Sequence, residues 1–559
     1  MYIMHTFHSN RRDYNDWYTV PSIDTDIDPL KLKLFSQDQF KYNNDNDITI
    51  SYSPTRDYEF HAGILVLQGN KTFGKTKKNK LYYKCIPNDK TLPIFLIPYE
   101  LRIGFVKDHI NKYVSFRFQN WDDKHPIGTL TETFGNVDNF SSFCSYQLWC
   151  NRLVHSIAKF NREIKVHSKH NPEEELIQNI LQNEKYNIVD KRNDSVYTID
   201  PEGSKDLDDG FSIIKLDNGK YKITIYIANV FVLLDYLDMW SNLTDRVSTI
   251  YLPEDRRTML PDLLSDNYCS LLENKERITF ALEFEYDSNQ NAIISDSICF
   301  FNAVVKITRN FVYEDDELLK NDDYQMLYTI TKKLKSETID SHDVVSHWMI
   351  YMNTVSAEKL VSFKTGVFRI VSKKEDNTDI NVDNSSKQTI GLWNNVSGSY
   401  ELYHDDLKTT HDILNVNSYV HVTSPIRRAV DIMNQIYFFK HIFSFELSDS
   451  CESYLSRFES KIEQINIDVK SIRRVQSECD LLYACKNDEE VLELEYDGYV
   501  FNKKYENNQF TYSVFLKSLN KISFFRSNDE LDENCIRQFK LYLFDRENSG
   551  HRKIRLALV

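Results

Sequence analysis

Four aspartates, Asp200, Asp206, Asp208 and Asp209, crowd into ten residues on a turn between two strand-like runs, Val196-Tyr-Thr-Ile and Phe211-Ser-Ile-Ile. A turn pinned by strands at both ends keeps its carboxylates close. Their repulsion must then be relieved by raised pKa values or by a cation. All-oxygen ligation favours magnesium or manganese over zinc, and two such ions suit phosphodiester hydrolysis, one activating water and one stabilising the leaving oxygen. A calcium loop of the EF-hand kind does not fit, because Asp206-Leu-Asp208-Asp209-Gly210 breaks the alternating ligand order. The residues alone leave two readings open, a metal site and a solvated acidic loop.

The chain of 559 residues is too long for one core and predicts three or four domains. Its net charge of −15 argues against a general basic coat for nucleic acid, but not against a local basic channel. Nine scattered cysteines form no Cys-x-x-Cys and no zinc spacing, which suits reduced thiols. No apolar run is long enough to span a bilayer, and the N-terminus lacks the order of a secretory signal. The expectation is a soluble intracellular protein, in the cytoplasm rather than the nucleus, with no membrane partner.

Residues 1–57 are polar and weakly patterned, with Asn43–Asp47 read as a loop. From residue 58, short β-type runs such as Gly63-Ile-Leu-Val-Leu and Lys112-Tyr-Val-Ser-Phe-Arg-Phe predict one or two small barrels. Asn171-Pro172-Glu-Glu-Glu opens a helix, with Asn171 as cap, Pro172 at the first position and the glutamates at the positive end of the dipole. Residues 187–440 mix strands and helices, including helices over 342–363 and 425–445. Residues 450–486 read as charged helix, and short β runs return after Glu493. Thr423-Ser424-Pro425 predicts a helix start with Ser424 capping, which places Arg427 in the first turn beside free N–H groups as a phosphate clamp. The alternative is that Arg427 and Arg428 only bridge acidic side chains. Lys71-Thr-Phe-Gly-Lys-Thr-Lys-Lys-Asn-Lys80-Leu-Tyr-Tyr-Lys84 mixes cations with aromatics, which suits either RNA entry or a solvated hairpin tip.

The pattern Asp-x5-Asp-x-Asp-Asp resembles the signature of the ribonuclease II / ribonuclease R family, the RNB-domain exoribonucleases. Arg246-Val-Ser-Thr-Ile-Tyr251-Leu-Pro253, Met259-Leu-Pro-x-x-Leu-Ser265, Cys269-Ser-Leu271 and Tyr419-Val-His-Val-Thr423-Ser-Pro-Ile-Arg427-Arg428 follow in family order. Phe118-Gln-Asn-Trp121-x-x-x-His125-Pro126-x-Gly128 is similar to the eukaryotic exosome-nuclease branch. The resemblance runs over residues 58–559, strongest in the middle.

It implies a multidomain α+β chain with N-terminal cold-shock/OB-type β-barrels, a central α/β RNB catalytic domain and a C-terminal OB-fold RNA-binding barrel. The boundaries are an N-terminal extension over 1–57, a first cold-shock-type barrel over 58–104 and a second over 105–170. A linker helix follows over 171–186, then the catalytic domain over 187–487 and the terminal barrel over 488–559. The implied activity is 3′-to-5′ hydrolysis of single-stranded RNA to nucleoside 5′-monophosphates. Two magnesium ions, for which manganese can substitute, are expected on Asp200, Asp206, Asp208 and Asp209, with Asp208 and Arg427 catalytic. Tyr251, Tyr313, Arg427 and Arg428 are expected to bind RNA, Tyr251 by stacking on the 3′-terminal base.

A monomer is expected. No match to the exosome enzyme's N-terminal endonuclease domain is found, so exosome-type partners are not expected. The alternatives are an inactive RNB-like protein that binds RNA or serves in assembly, and a nuclease acting on DNA. Where the family has His, Asp, Ala, Glu and His, this chain has Tyr226, Asn229, Gly210, Ser346 or His347, and Gln435, none of them a metal ligand. These departures bear on processivity and on how the strand is fixed.

Overall fold

The computed structural model describes residues 4–23, 27–42, 48–101, 109–170, 172–336, 338–372, 398–506, 509–544 and 553–559. Asn43–Asp47 and Asn171, read above as a loop and a helix cap, lie outside them. The chain divides into two compact units. One holds residues 1–154, 252–254 and 473–559, and the other holds 155–251 and 255–472.

In the first unit, residues 4–52 build an antiparallel four-stranded sheet in the order Trp17–Val20, Met4–Ser9, Gln39–Tyr42, Ile48–Tyr52. Phe7, Tyr14, Leu34 and Phe40 are buried on it. This corrects the reading of 1–57 as a polar, weakly patterned extension. Its strands are only four to six residues long, too short for alternation to stand out against the polar turns.

A closed five-stranded barrel follows, of strands His61–Leu65, Leu81–Pro87, Phe95–Tyr99, Lys112–Asn120 and Ile127–Asn136. The division into two barrels over 58–104 and 105–170 is therefore corrected. Lys112–Asn120 pairs back onto His61–Leu65, with His61 opposite Phe116, and Leu96 meets Ile127 to complete the ring. Phe35, from the preceding sheet region, fills the barrel core beside Phe95 and Trp121. Residues 140–170, placed in the second barrel, are largely helical, as Phe140–Cys150 and Ala158–His170. Period-two alternation identifies strands but not their partners, and barrel closure is a long-range pairing that no single segment encodes. The C-terminal part is an antiparallel sheet in the order Lys521–Ser527, Gln509–Leu516, Glu495–Glu506, Cys535–Leu543, Ile554–Leu558.

In the second unit a mixed sheet runs Ile188–Asp190, Ala292–Val312, Val196–Asp200, Asp209–Lys215, Lys220–Ala228, Glu276–Asp287. The 21-residue strand Ala292–Val312 also pairs with Glu276–Asp287, so the sheet curls back on itself. The helix near 171 begins at Glu173 with Pro172 at the cap, and ends at Leu181. Ser341–Ser362 forms a long helix started by a capping box between Asp340 and Asp343. Among the described residues no helix is long and apolar enough to cross a membrane.

One buried amide ties this unit's helices to the segment that reaches the acidic turn. Asn434, fully buried on helix Ala429–Tyr437, accepts from Val367 N–H at 2.9 Å. It donates to the carbonyls of Val367 and His421 at 3.0 and 2.9 Å. Asn434→Leu leaves all three backbone groups unpaired inside the core. It should cost about 2–4 kcal/mol and lower the thermal midpoint, measured by calorimetry on the full chain. An unchanged midpoint would show that the segment is held elsewhere.

Candidate metal centre and nucleotide pocket

Strand Val196–Asp200 carries Asp200 at its end, and Asp209 opens the next strand, antiparallel to it. Between them the turn is nailed down by Leu207, which is buried in the apolar cluster beneath the sheet. Leu207 N–H donates to Ser270 Oγ at 3.0 Å and its carbonyl accepts from Leu271 N–H at 3.0 Å, while Ser270 Oγ also reaches the Lys205 carbonyl at 2.7 Å. The Cys269-Ser-Leu271 motif is thus a clamp on the acidic turn. Leu207 points into the core, and Asp206 and Asp208 on either side of it point away.

Asp208 is 2% exposed. Its Oδ1 accepts from Ile426 N–H at 2.9 Å and its Oδ2 from Arg427 Nε at 3.2 Å. Arg427 Nη2 also donates to Ser424 Oγ at 2.9 Å, and the side chain stays 43% exposed. The helix here starts at Ala429 with Arg428 at its cap position, so Arg427 lies in the preceding turn and not in a first helical turn. This corrects the expected clamp of free N–H groups: Ile426 N–H is occupied by Asp208, and Ser424 N–H by Asp431 at 2.7 Å. Pro425 suits a turn as well as a helix start, and the aspartates decide between them. Asn353 steadies the same segment, accepting from Val422 N–H at 2.9 Å and donating to Tyr419 Oη at 3.1 Å. Arg428 is not brought into the pocket. Its guanidinium pairs with the fully buried Asp431 at 2.9 and 3.0 Å, the bridging arrangement that was the alternative for it.

Asp206 takes a different place. Tyr251 donates its hydroxyl to Oδ2, and Arg256 Nη1 lies 3.2 Å from Oδ1. Tyr251 itself remains 37% exposed. Tyr313 N–H donates to the Asp200 carbonyl at 3.2 Å. The Tyr313 ring stacks on His342, with centroids 3.7 Å apart and planes inclined by 10°. The structure therefore gathers Asp200, Asp206, Asp208, Asp209, Arg427, Tyr251 and Tyr313 in one region. The sequence reading missed Arg256, Asn353, Asp431 and His342. Arg256 carried a signal, since it lies between two recognised motifs on the strand after Tyr251.

The electrostatics separate the four acids. Burial pushes Asp200 up to about 6, with Asp206 adding to the shift, and pushes Asp208 up to about 7 despite Arg427. Burial, then Asp200 and Asp208, raises Asp209 well above the carboxylate range. Asp200 Oδ2 is buried with no hydrogen-bond partner. An orphaned buried carboxylate oxygen beside two other charge-penalised carboxylates is the donor set a hard divalent cation fits. Among the described residues no three His, Cys, Asp or Glu side chains already converge as a metal cage. Asp206 faces Tyr251 and Arg256, and Asp208 faces Arg427.

A family model for the RNB domain matches residues 188–337 and 318–443. The chain is 31% identical over 269 residues to the DIS3-like exonuclease 2 of Schizosaccharomyces pombe, covering 45% of this chain and 28% of that protein. It is 35% identical over 129 residues to ribonuclease R of Thermotoga maritima, covering 22% and 17%. The alignments thus span less than a third of these relatives. Among solved structures, RNase R of Mycoplasma genitalium in complex with ribose-methylated single-stranded RNA superposes with a TM-score of 0.66 at 14% identity, covering 100% of both chains. Yeast Ssd1, a pseudonuclease, superposes with a TM-score of 0.57 at 14% identity, covering 100% of this chain and 81% of that one. At these identities the structural likeness is one of fold.

Raised carboxylate pKa values make stability depend on pH. The three acids favour the folded state below about pH 4 and progressively disfavour it as pH rises through about 6 for Asp200 and about 7 for Asp208. Metal-free protein should therefore melt lower at pH 8 than at pH 5. Asp209→Asn should melt higher than wild type at pH 8, by roughly 1–3 kcal/mol, with the gap closing toward pH 5. Magnesium should raise the wild-type midpoint and narrow the gap. Calorimetry across pH decides this, and a gap independent of pH would rule out the charge penalty.

Proposed function

We propose that this chain, whose residues 188–443 match the RNB domain, is a magnesium-dependent 3′-to-5′ exoribonuclease that hydrolyses single-stranded RNA to nucleoside 5′-monophosphates. The observation that carries the reading is the convergence on Asp208. The acidic turn and the Thr423–Arg428 segment, 218 residues apart, meet through the Ile426 N–H and the Arg427 guanidinium. Exoribonucleases among the relatives, and a fold relative captured with single-stranded RNA, support the substrate class.

Asp200, Asp206, Asp208 and Asp209 would hold the cations, which when bound neutralise the carboxylates and lower the pKa of the attacking water. Arg427, fixed by Asp208 and Ser424, offers its half-exposed guanidinium to the charge that develops on the phosphate. Tyr251 presents an exposed ring to the terminal base, and stacking tolerates any base. Tyr313, rigidified against His342 and tied to the Asp200 backbone, forms a second aromatic surface close to the carboxylates.

A non-hydrolytic RNA holder is the competing reading, favoured by the lack of a preformed ligand cage among the described residues and by the fold likeness to a pseudonuclease. Digestion of 5′-labelled single-stranded RNA with magnesium separates the two. The expected products are nucleoside 5′-monophosphates from the first time point, abolished by chelator. Asp208→Asn should lower kcat by roughly 1000-fold or more while RNA binding persists. Internal cuts as first products would overturn the exonuclease reading. Equal absence of hydrolysis in wild type and Asp208→Asn would favour the holder. A deoxyribose strand of the same sequence tests discrimination at the 2′-OH.

A further inference from the structure

Ser424 is the hub of the turn that carries Arg427. It is 3% exposed, and each of its polar groups is engaged. Its N–H donates to Asp431 Oδ1 at 2.7 Å, and its Oγ accepts from Arg427 Nη2 at 2.9 Å. Its carbonyl accepts from the N–H groups of Arg427 and Arg428 at 3.2 and 3.0 Å. Asp431 is fully buried in the first turn of helix Ala429–Tyr437, where the positive end of the dipole favours a carboxylate. Arg428 Nη2 donates to the same Oδ1 at 3.0 Å, and Arg428 Nε lies 2.9 Å from Oδ2. One carboxylate thus holds the residue three before Arg427 and the residue just after it. The Arg427 carbonyl accepts from Thr249 N–H at 3.0 Å, and the Val247 carbonyl accepts from Ala429 N–H at 2.9 Å. The Arg427 backbone is therefore also fixed to the segment that leads into Tyr251.

We propose that Asp431 is a positioning residue for Arg427, acting through Ser424, and that Arg428 serves it as counter-charge and not as an RNA contact. The Arg427 guanidinium has two ties, Asp208 Oδ2 and Ser424 Oγ. Asp208 is itself proposed as a cation ligand, so Ser424 is the tie independent of the acidic turn. A guanidinium that answers charge on a phosphate acts only when held within about 0.5 Å of its place. A serine hydroxyl holds it that well only if the serine backbone cannot turn. Asp431 removes that freedom, because it grips the Ser424 N–H from a helix. A carboxylate buried there persists only when paired, and Arg428 supplies the charge on both oxygens. This inference rests on the reading of Arg427 as the group that meets the phosphate.

Two measurements on the full chain test it. The first needs no activity. Phenylglyoxal modifies arginine, and mass spectrometry follows its rate at Arg427, whose side chain is half-exposed. Asp431→Asn and Ser424→Ala should each raise that rate by about fivefold or more, the worth of one lost hydrogen bond. A rate equal to wild type in both would overturn the proposal.

The second splits kcat from KM on 5′-labelled single-stranded RNA with magnesium. Asp431→Asn should lower kcat by about 30- to 100-fold and leave KM within about threefold. Arg428→Met should do the same, and Arg428→Lys, which restores a cation, should regain at least about tenfold of that loss. A loss at Arg428→Met that falls on RNA binding and spares kcat would overturn the counter-charge role. In an Arg427→Ala background, Asp431→Asn should cost no more than about threefold further, whereas fully multiplicative losses would mark a merely structural role. Should Asp431→Asn fail to fold, Ser424→Ala decides alone, since it leaves the Asp431–Arg428 pair in place: wild-type kcat and labelling there would overturn the proposal. If wild-type protein does not hydrolyse RNA, the exoribonuclease reading fails and the role assigned to Asp431 with it. If wild type hydrolyses RNA and Asp431→Asn turns over at the same rate, the proposal alone fails.

Discussion

Everything at this site depends on burying negative charges next to one another. A solvated loop of aspartates would relax by splaying, but here Leu207 is locked into the core, Ser270 Oγ grips the Lys205 carbonyl and the Leu207 N–H, and Leu271 N–H holds the Leu207 carbonyl. The fold therefore holds Asp208 and Asp209 where neither burial nor mutual repulsion favours their charge. Such an arrangement persists because larger apolar and backbone terms over-determine it. Asp208 partly compensates by accepting one backbone N–H and one guanidinium N–H, and this same pair of bonds joins two parts of the unit far apart in sequence.

The acidic turn was legible in sequence because it is a short local pattern, whereas Tyr251 and Arg427 stood out only through the family resemblance; the structure brings both against the aspartates of that turn. The conformation at Ser424 was not legible. Ser-Pro at a turn and Ser-Pro at a helix start read alike, and the choice is made by Asp208 and Asp431, which capture the N–H groups of Ile426 and Ser424. Barrel closure was illegible for the same reason: Lys112–Asn120 looks like a strand of any barrel until it meets His61–Leu65. Arg428 was read as an RNA contact beside Arg427, yet alternate residues leave a turn in different directions, and Arg428 turns inward to Asp431. What escaped the sequence in each case was a long-range partner.

The residues that depart from the family pattern bear on the scaffold more than on the reacting atoms. Asn229 caps the helix Val230–Tyr236 by accepting from Val232 N–H at 3.1 Å, and donates to Asn302 at 2.9 Å. Gln435 accepts from Phe231 N–H at 3.2 Å and donates to the Ala228 carbonyl at 2.9 Å. Tyr226 reaches Asp194 at 3.1 Å. These three polar side chains are fully buried and satisfied, so they form a compensated network and leave no unpaired group facing the site. Gly210 sits where an added Cβ would lie 3.1 Å from the Tyr197 carbonyl, which makes the approach of the two acidic strands closer here than an alanine readily allows. On the helix Ser341–Ser362, His347 packs edge-on against Trp348 while Ser346 is exposed, so neither position supplies the carboxylate that the family pattern has there.

A net charge of −15 opposes a polyanion over the surface as a whole, but attraction is set by the local field and not by that sum. At the acidic turn, two guanidiniums stand against four carboxylates. Arg256 balances Asp206, and Arg427 answers Asp208 while keeping nearly half its surface in solvent. The uncompensated remainder sits on Asp200 and Asp209, and on the proposed reading a divalent cation held by the acidic turn would change a site that repels phosphate into one that binds it. On that reading the polyanion and the cation would stabilise each other's binding, since each relieves the charge the other leaves behind. On the five-stranded barrel, Lys71 and Lys84 lie 5.8 and 4.9 Å from the Phe73 ring, a positive surface whose charge does not depend on a bound cation.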